Sequence, residues 1–218
     1  MNISNDILKY NLKNVYFLVG TACGGKTTMG KLLAQKYGWI HFNDNWNEPN
    51  FANWEAIQKG RRKEKEGESE VQDMEAYFNR DPQEFVDGLN KMTSEYAEYA
   101  IIELIKLSQK NTVVADLHLP ADLLQEISEY NKVACLLADP ELIIQDYYER
   151  DDHRAIYEAI MKLENPEKSL ENMNNTFRLG ATQTIEEIKA SGLFYLMRNA
   201  DVTVEERLML LEQHFGLV

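Results

Sequence analysis

Five short apolar runs interrupt an otherwise mixed polar chain: residues 15–19 (VYFLV), 39–42 (WIHF), 112–115 (TVVA), 133–138 (VACLLA) and 193–197 (LFYLM). Each is too short for a helix, and several are rich in β-branched or aromatic residues, which predicts strands. Their apolarity is continuous rather than alternating, as expected of strands covered on both faces of a parallel sheet. Helical periodicity fills the intervals. Met29, Leu32, Leu33 and Tyr37 mark one helical face that stops at Gly38, and Ala97, Ala100, Ile101, Leu104 and Ile105 form a stripe ahead of the third strand. Pro120 suits the first turn of a helix carrying Leu123, Leu124 and Ile127. Asp139-Pro140-Glu141 reads as N-cap, N1 proline and first-turn acid, while Thr203 and Glu206 have capping-box spacing ahead of a stripe ending at Gly216.

Strands alternating with helices predict an α/β fold, a three-layer sandwich around a five-stranded parallel sheet with right-handed crossovers. The interval from about 45 to 110 is too long for one crossover helix. It contains the polar run GRRKEKEGESE and helical patterns near 74–78 and 84–89, and predicts an inserted helical subdomain over the sheet edge. A second insertion is expected at about 150–178. The 218 residues then form a single domain with two insertions.

Composition narrows the partners. Thirty-six acids against 23 bases give a net charge of −13, so a nucleic-acid partner is not expected. No apolar run approaches the roughly 20 residues needed to cross a bilayer, so no membrane partner is expected either. No leader pattern is visible, and Cys23 and Cys135 read as reduced thiols, which together predict a cytoplasmic protein. The four histidines and two cysteines lack metal-site spacing.

One motif carries specific chemistry. GTACGGKT, residues 20–27, fits G-x-x-x-x-G-K-[ST] at every fixed position, follows a strand and opens a helix. Residues 20–28 (Gly20, Thr21, Ala22, Cys23, Gly24, Gly25, Lys26, Thr27 and Thr28) are therefore expected to hold the phosphates of ATP or a close relative. Small residues let backbone N–H groups curl around phosphate oxygens, with the helix N-terminus behind them. Lys26 is expected to reach the β- and γ-phosphates, and Thr27 to present its hydroxyl to Mg²⁺. Cys23 is either a redox-sensitive thiol at a helix N-terminus or a small residue tolerated at a variable loop position.

The order of glycine loop, WIHFNDN, long insert, TVVADLHLP, VACLLADPELI, Arg-x-x-x-Arg, then strand and terminal helix resembles the small-molecule and nucleoside-monophosphate kinases. That group includes adenylate, shikimate and gluconate kinases and chloramphenicol phosphotransferase. The resemblance implies transfer of the γ-phosphoryl group of Mg-ATP to a small molecule, with the 45–110 insert choosing the acceptor and the 150–178 segment acting as a lid.

Asp44 ends the second strand, in HFNDN, at the carboxyl end of an α/β sheet where ligands bind. The resemblance implies that it orients the acceptor hydroxyl or holds Mg²⁺ through water, the alternative being a loop-capping aspartate. Asp116 resembles the aspartate of the adenylate-kinase DGFP segment and would lie near the metal and acceptor, although Leu117 replaces the glycine of that segment. His118 could touch the acceptor or be structural. Arg150 and Arg154, spaced i, i+4, are expected on one helical face and resemble the lid arginines that neutralise transferring phosphate, the alternative being a surface ion-pair face. Arg198 could flank the adenine, with Arg178 a weaker candidate. In the insert, Trp46, Phe51, Trp54, Tyr77 and Phe78 could stack on a ring and Arg61, Arg62 and Arg80 could bind an anion; core packing and a solvated face are the alternatives. The glycine-rich segment that shikimate kinases carry after the third strand is missing, which argues against shikimate.

Two other readings remain open: a nucleoside or nucleotide kinase, and a nucleotide-binding regulatory protein without phosphotransfer. NKxD and hhhhDE segments, the marks of GTPases and ATPase motors, are not found. A monomer or homodimer is expected.

Overall fold

The computed structural model describes residues 4–43, 53–56, 74–151, 153–198 and 201–218. All five expected strands form: β1 (Val15–Gly20), β2 (Ile40–Asn43), β3 (Val113–Asp116), β4 (Val133–Leu137) and β5 (Tyr195–Met197). They make one parallel sheet in the order β2-β3-β1-β4-β5. The helices are α1 (Asn5–Asn11), α2 (Lys26–Tyr37), α3 (Met74–Phe78), α4 (Pro82–Ser108), α5 (Ala121–Ile127), α6 (Pro140–Asp146), α7 (Arg154–Ile160), α8 (Pro166–Ser191) and α9 (Val204–Phe215). One helical turn also lies at 53–56.

Continuous apolarity in the strands has the expected cause. Val15, Phe17, Val19, Val113, Ala115, Val133 and Cys135 face one layer, where Ala97, Ala100 and Leu104 of α4, Leu124 and Ile127 of α5 and Ile188 of α8 cover them. The alternate residues Leu18, Val114, Ala134 and Leu136 face the other layer, against Met29 and Leu33 of α2 and Leu211 and Phe215 of α9. Both faces are dry, so both strand parities must be apolar.

The end signals also act as read. Gly38 caps α2 in the left-handed region at φ 68°, with its N–H donating to Ala34 O. Asp139 caps α6, and Thr203 and Glu206 form a complete capping box on α9.

Two segments differ in form from the pattern-based expectation. The patterns near 84–89 and 97–105 fuse into the single 27-residue helix α4, whose second half is the crossover helix packed on the sheet. The segment KLENPEKSLENMNN, expected as a polar lid, runs largely into the 26-residue helix α8, which continues beyond the lid to the sheet. Its polarity misled because the helix buries only a narrow stripe, including Ser169, Met173, Thr176, Ala181 and Ile188.

Where α3 and the start of α4 meet α7 and α8, Phe78, Phe85, Ile160 and Met173 form a separate apolar cluster with Tyr77, Tyr148 and Phe177 around it. Asn172 ties it together, its Nδ2 donating to Phe78 O at 2.9 Å and Arg80 O at 2.7 Å. Asn79 Nδ2 donates to Ser169 Oγ at 3.0 Å.

Candidate functional site

The chain leaves β1 into α2 on one face of the sheet and leaves neighbouring β3 into α5 on the other. Loops departing to opposite faces open a crevice at the carboxyl ends of these strands, the place where open α/β sheets receive ligands. The glycine loop and Asp116 lie there together.

The loop is anchored from below by β4. Thr21 N donates to Leu136 O at 3.2 Å, and Thr21 Oγ1 accepts from Ala138 N at 2.7 Å. Gly24 must be glycine because a Cβ there would lie 2.1 Å from Leu136 O. Gly25, the N-cap of α2, sits at φ 93°, a conformation that side chains disfavour. Cys23 adopts φ 55°, the sole non-glycine positive φ among the described residues. Backbone held in a sparsely populated region by its surroundings is common at ligand sites.

Lys26 is buried, and its Nζ donates to Thr21 O at 2.8 Å and approaches Gly20 O at 3.4 Å. Its ammonium thus folds over the loop carbonyls. Thr27 Oγ1 donates to Asp116 Oδ2 at 2.6 Å, and Asp116 is only 2% exposed. His41 Nε2 lies 3.8 Å from the same carboxylate oxygen, beyond hydrogen-bond reach, and is buried with no hydrogen-bond partner. Gly30, one turn into α2, leaves room for that ring, since a Cβ there would stand 2.5 Å from Nε2.

Thr27, Asp116 and the loop suit a nucleotide-bound Mg²⁺. That ion is held by one or two protein oxygens plus phosphates rather than by an all-protein cage. Among the described residues no group of three or more His, Cys, Asp or Glu could hold a metal.

The other expected site residues divide. Thr28, in the first turn of α2, is exposed and Ala22 is half-buried. Asp44 lies outside the described residues, as do Trp46, Phe51, Arg61 and Arg62; β2 ends at Asn43, in register with Asp116. His118 is exposed just beyond Asp116. Arg150 stands beside the Cys23 thiol and so reaches the glycine loop.

Arg154 lies elsewhere, with its side chain 77% exposed and its Nε 3.7 Å from Glu158 Oε1. The expected shared helical face does not form, because Arg150 occupies the bend before α7 and only Arg154 enters the helix. Arg198 Nη1 donates to Cys23 O at 3.1 Å and pairs with Asp146 at 2.8 Å, placing it on the loop. Arg178 forms a two-point pair with Glu141 at 2.6 and 3.1 Å.

Arg80 stacks over the Tyr77 ring at 4.6 Å and the Phe85 ring at 5.5 Å. Tyr77 and Phe78 pack edge to face in the insert–lid cluster, and Trp54 packs edge-on against Tyr96 in the core. The described insert aromatics are therefore engaged in packing.

Burial raises the pKa of the Cys23 thiol, with Arg150 opposing the effect, and pushes that of Cys135 up to about 12. Both are free, and burial disfavours the thiolate at each. Burial works against thiolate formation at Cys23, which favours a small residue tolerated at a variable loop position.

One residue escaped the sequence reading. Arg207, in the first turns of α9, is 6% exposed and donates from Nη2 to Gly24 O at 2.7 Å. No local motif marks it; an arginine on the apolar side of an amphipathic stripe was the available signal.

No protein-family model and no curated protein matches the sequence. Among solved structures, the chain is similar to a shikimate kinase from Acinetobacter baumannii in complex with shikimate, at 18% identity and TM-score 0.40, covering 93% of each chain. It is also similar to deoxyadenosine kinase from M. mycoides with bound dCTP, at 15% identity and TM-score 0.42, covering 94% of this chain and 100% of that one. Among the described residues no helix is long and apolar enough to cross a membrane.

Proposed function

We propose that this chain is a P-loop kinase that transfers the γ-phosphoryl group of ATP to a small-molecule acceptor. The observation that carries this reading is the 2.6 Å hydrogen bond from Thr27 to buried Asp116 at the mouth of the glycine loop. It brings the motif's hydroxyl and an acid from a different strand to one point. Magnesium bound with the triphosphate would neutralise charge on the phosphate oxygens, and Thr27 and Asp116 are the residues that would hold it.

The chain's own groups supply the rest. The loop's backbone N–H groups bind the phosphates, and Lys26 exchanges its contacts with Gly20 and Thr21 carbonyls for phosphate oxygens. Arg150 approaches from the lid side and offsets charge that builds on the transferring group. Asp44, the residue after β2, accepts the proton of the acceptor hydroxyl. Arg80, stacked over Tyr77 and Phe85, and His118, exposed beside Asp116, contribute to the acceptor side. Catalysis then rests on positioning and charge neutralisation.

The test is release of ADP from Mg-ATP across sugars, nucleosides, nucleotides and antibiotics, comparing wild type with Asp116→Asn. Acceptor-stimulated release that disappears in the variant supports transfer. Tight nucleotide binding with no stimulation by any acceptor class favours a nucleotide-dependent binding protein instead.

A further inference from the structure

Arg207 approaches the glycine loop from the C-terminal helix. The capping box of Thr203 and Glu206 fixes the first turn of α9 and aims the side chain beneath the loop. Nη2 reaches Gly24 O at 2.7 Å, and Nη1 would stand 3.0 Å from a Cβ on Gly25. Nε is buried with no hydrogen-bond partner.

No carboxylate among the described residues pairs with this guanidinium. Glu206 is taken by Thr203, Glu205 is exposed, and the charge beside Arg207 is Arg198, of like sign. Arg198 is itself balanced by Asp146 while its Nη1 holds Cys23 O. Burial and Arg198 both disfavour the charge on Arg207, yet a guanidinium does not give up its proton in a protein. A buried cation without a counter-charge is costly. The polypeptide described here supplies none, and the loop it touches is the one built to receive a polyanion.

We infer that Arg207 is a positioning residue of the nucleotide site, with the phosphate chain of the nucleotide as its counter-charge. It holds the Gly24 carbonyl of the loop through Nη2. Its own charge is balanced when the phosphates bind. The C-terminal helix is thereby part of the nucleotide site as well as a cover for the sheet. This rests on the reading of the loop as a nucleotide site, so binding rather than turnover is the readout.

Mg-ADP and Mg-ATP are titrated calorimetrically into wild type, Arg207→Met, Arg207→Lys and Leu211→Ala, and melting temperatures are recorded with and without nucleotide. Leu211 lies on the same helix, fully buried in the apolar cluster with Leu18, Met29 and Leu33. Arg207→Met is expected to lose at least about tenfold in affinity. Without nucleotide its melting temperature is expected to equal or exceed that of wild type, because an unbalanced buried charge has gone. Arg207→Lys recovers part of the affinity, and Leu211→Ala melts lower while binding normally.

Affinity of Arg207→Met within about threefold of wild type overturns the inference. So does a drop in nucleotide-free melting temperature like that of Leu211→Ala, which would mark a purely structural arginine. Should Arg207→Met not fold, Arg207→Gln keeps a donor for Gly24 O, removes the charge and carries the same comparison. Wild type that binds no nucleotide overturns the loop reading and this inference together; wild-type binding with an unaffected Arg207→Met overturns the inference alone.

Discussion

The glycine-loop end and the insert–lid end of this protein are built in different ways. The loop is fastened to the central sheet by Thr21, whose N–H donates to Leu136 O and whose hydroxyl accepts from Ala138 N, and its charged groups converge from α2, β3, the end of β5 and α9. The insert–lid region has its own apolar cluster, and its polar ties are side chains such as Asn172 and Asn79 reaching across roughly a hundred residues of sequence. The first region is specified by backbone geometry. The second is specified by which side chains happen to meet. A phosphate cradle needs fixed N–H directions whatever the acceptor, whereas an acceptor site needs a shape that the core fold does not dictate.

The largest effect expected from breaking this division is at the loop. Asp116→Asn and Thr27→Ala should each lower acceptor-stimulated ADP release by about 10²-fold or more. Steady-state kinetics check this, and retention of full turnover would remove both residues from the transfer site.

Next come substitutions in the insert–lid cluster. Phe78→Ala should destabilise the protein by about 3–5 kcal/mol in denaturant titrations, through lost burial and the cavity left behind. Asn172→Ala should cost about 1–3 kcal/mol, since it leaves the Phe78 and Arg80 carbonyls without their donor. Both should leave Mg-ADP affinity nearly unchanged. A matched loss of nucleotide affinity would show that the two regions are energetically one.

A smaller effect concerns Cys23. Because burial raises its pKa, alkylation by iodoacetamide at neutral pH should run slower than for an exposed thiol, and slower still with nucleotide bound. Mass spectrometry of the peptide containing Cys23 measures it, and rapid modification would restore the redox reading.

The smallest expected effect is the pH response of His214, far from both sites. Its ring stacks on Phe194 at 4.0 Å, its Nε2 lies 2.9 Å from Val133 O, and burial holds its pKa below the ordinary histidine value. The folded state therefore prefers the neutral ring. The stability this supplies is present above the unfolded pKa of about 6.5 and is lost as pH falls toward the depressed folded value. Denaturant titrations between about pH 7.5 and 5 should show that fall, and His214→Phe should flatten it.

The same contrast explains what could be read without coordinates. The strand runs, the stop at Gly38, the caps at Asp139 and Thr203 and the loop motif are local signals, and each corresponds to an element of the structure. Asp116 was legible because it ends a strand run and resembles the aspartate of the adenylate-kinase DGFP segment. Arg150 and Arg154 looked equivalent by spacing, yet a bend before α7 sends one to the loop and the other to solvent beside Glu158. Arg207 and Asn172 were invisible because their partners, Gly24 O and the Phe78 and Arg80 carbonyls, are distant in sequence and carry no side-chain signature. Continuity of α4 and α8 was hidden by polar stretches whose buried stripes are narrow.

The central claim is that Thr27 and Asp116 complete a metal-assisted phosphate site. Calorimetric titration of ATP into wild type and Asp116→Asn, each with and without Mg²⁺, tests it most directly. The account predicts that Mg²⁺ raises ATP affinity in wild type by at least about tenfold and that Asp116→Asn removes most of that gain. ATP affinity that is indifferent to Mg²⁺ in wild type, or a gain that survives unchanged in Asp116→Asn, would contradict it.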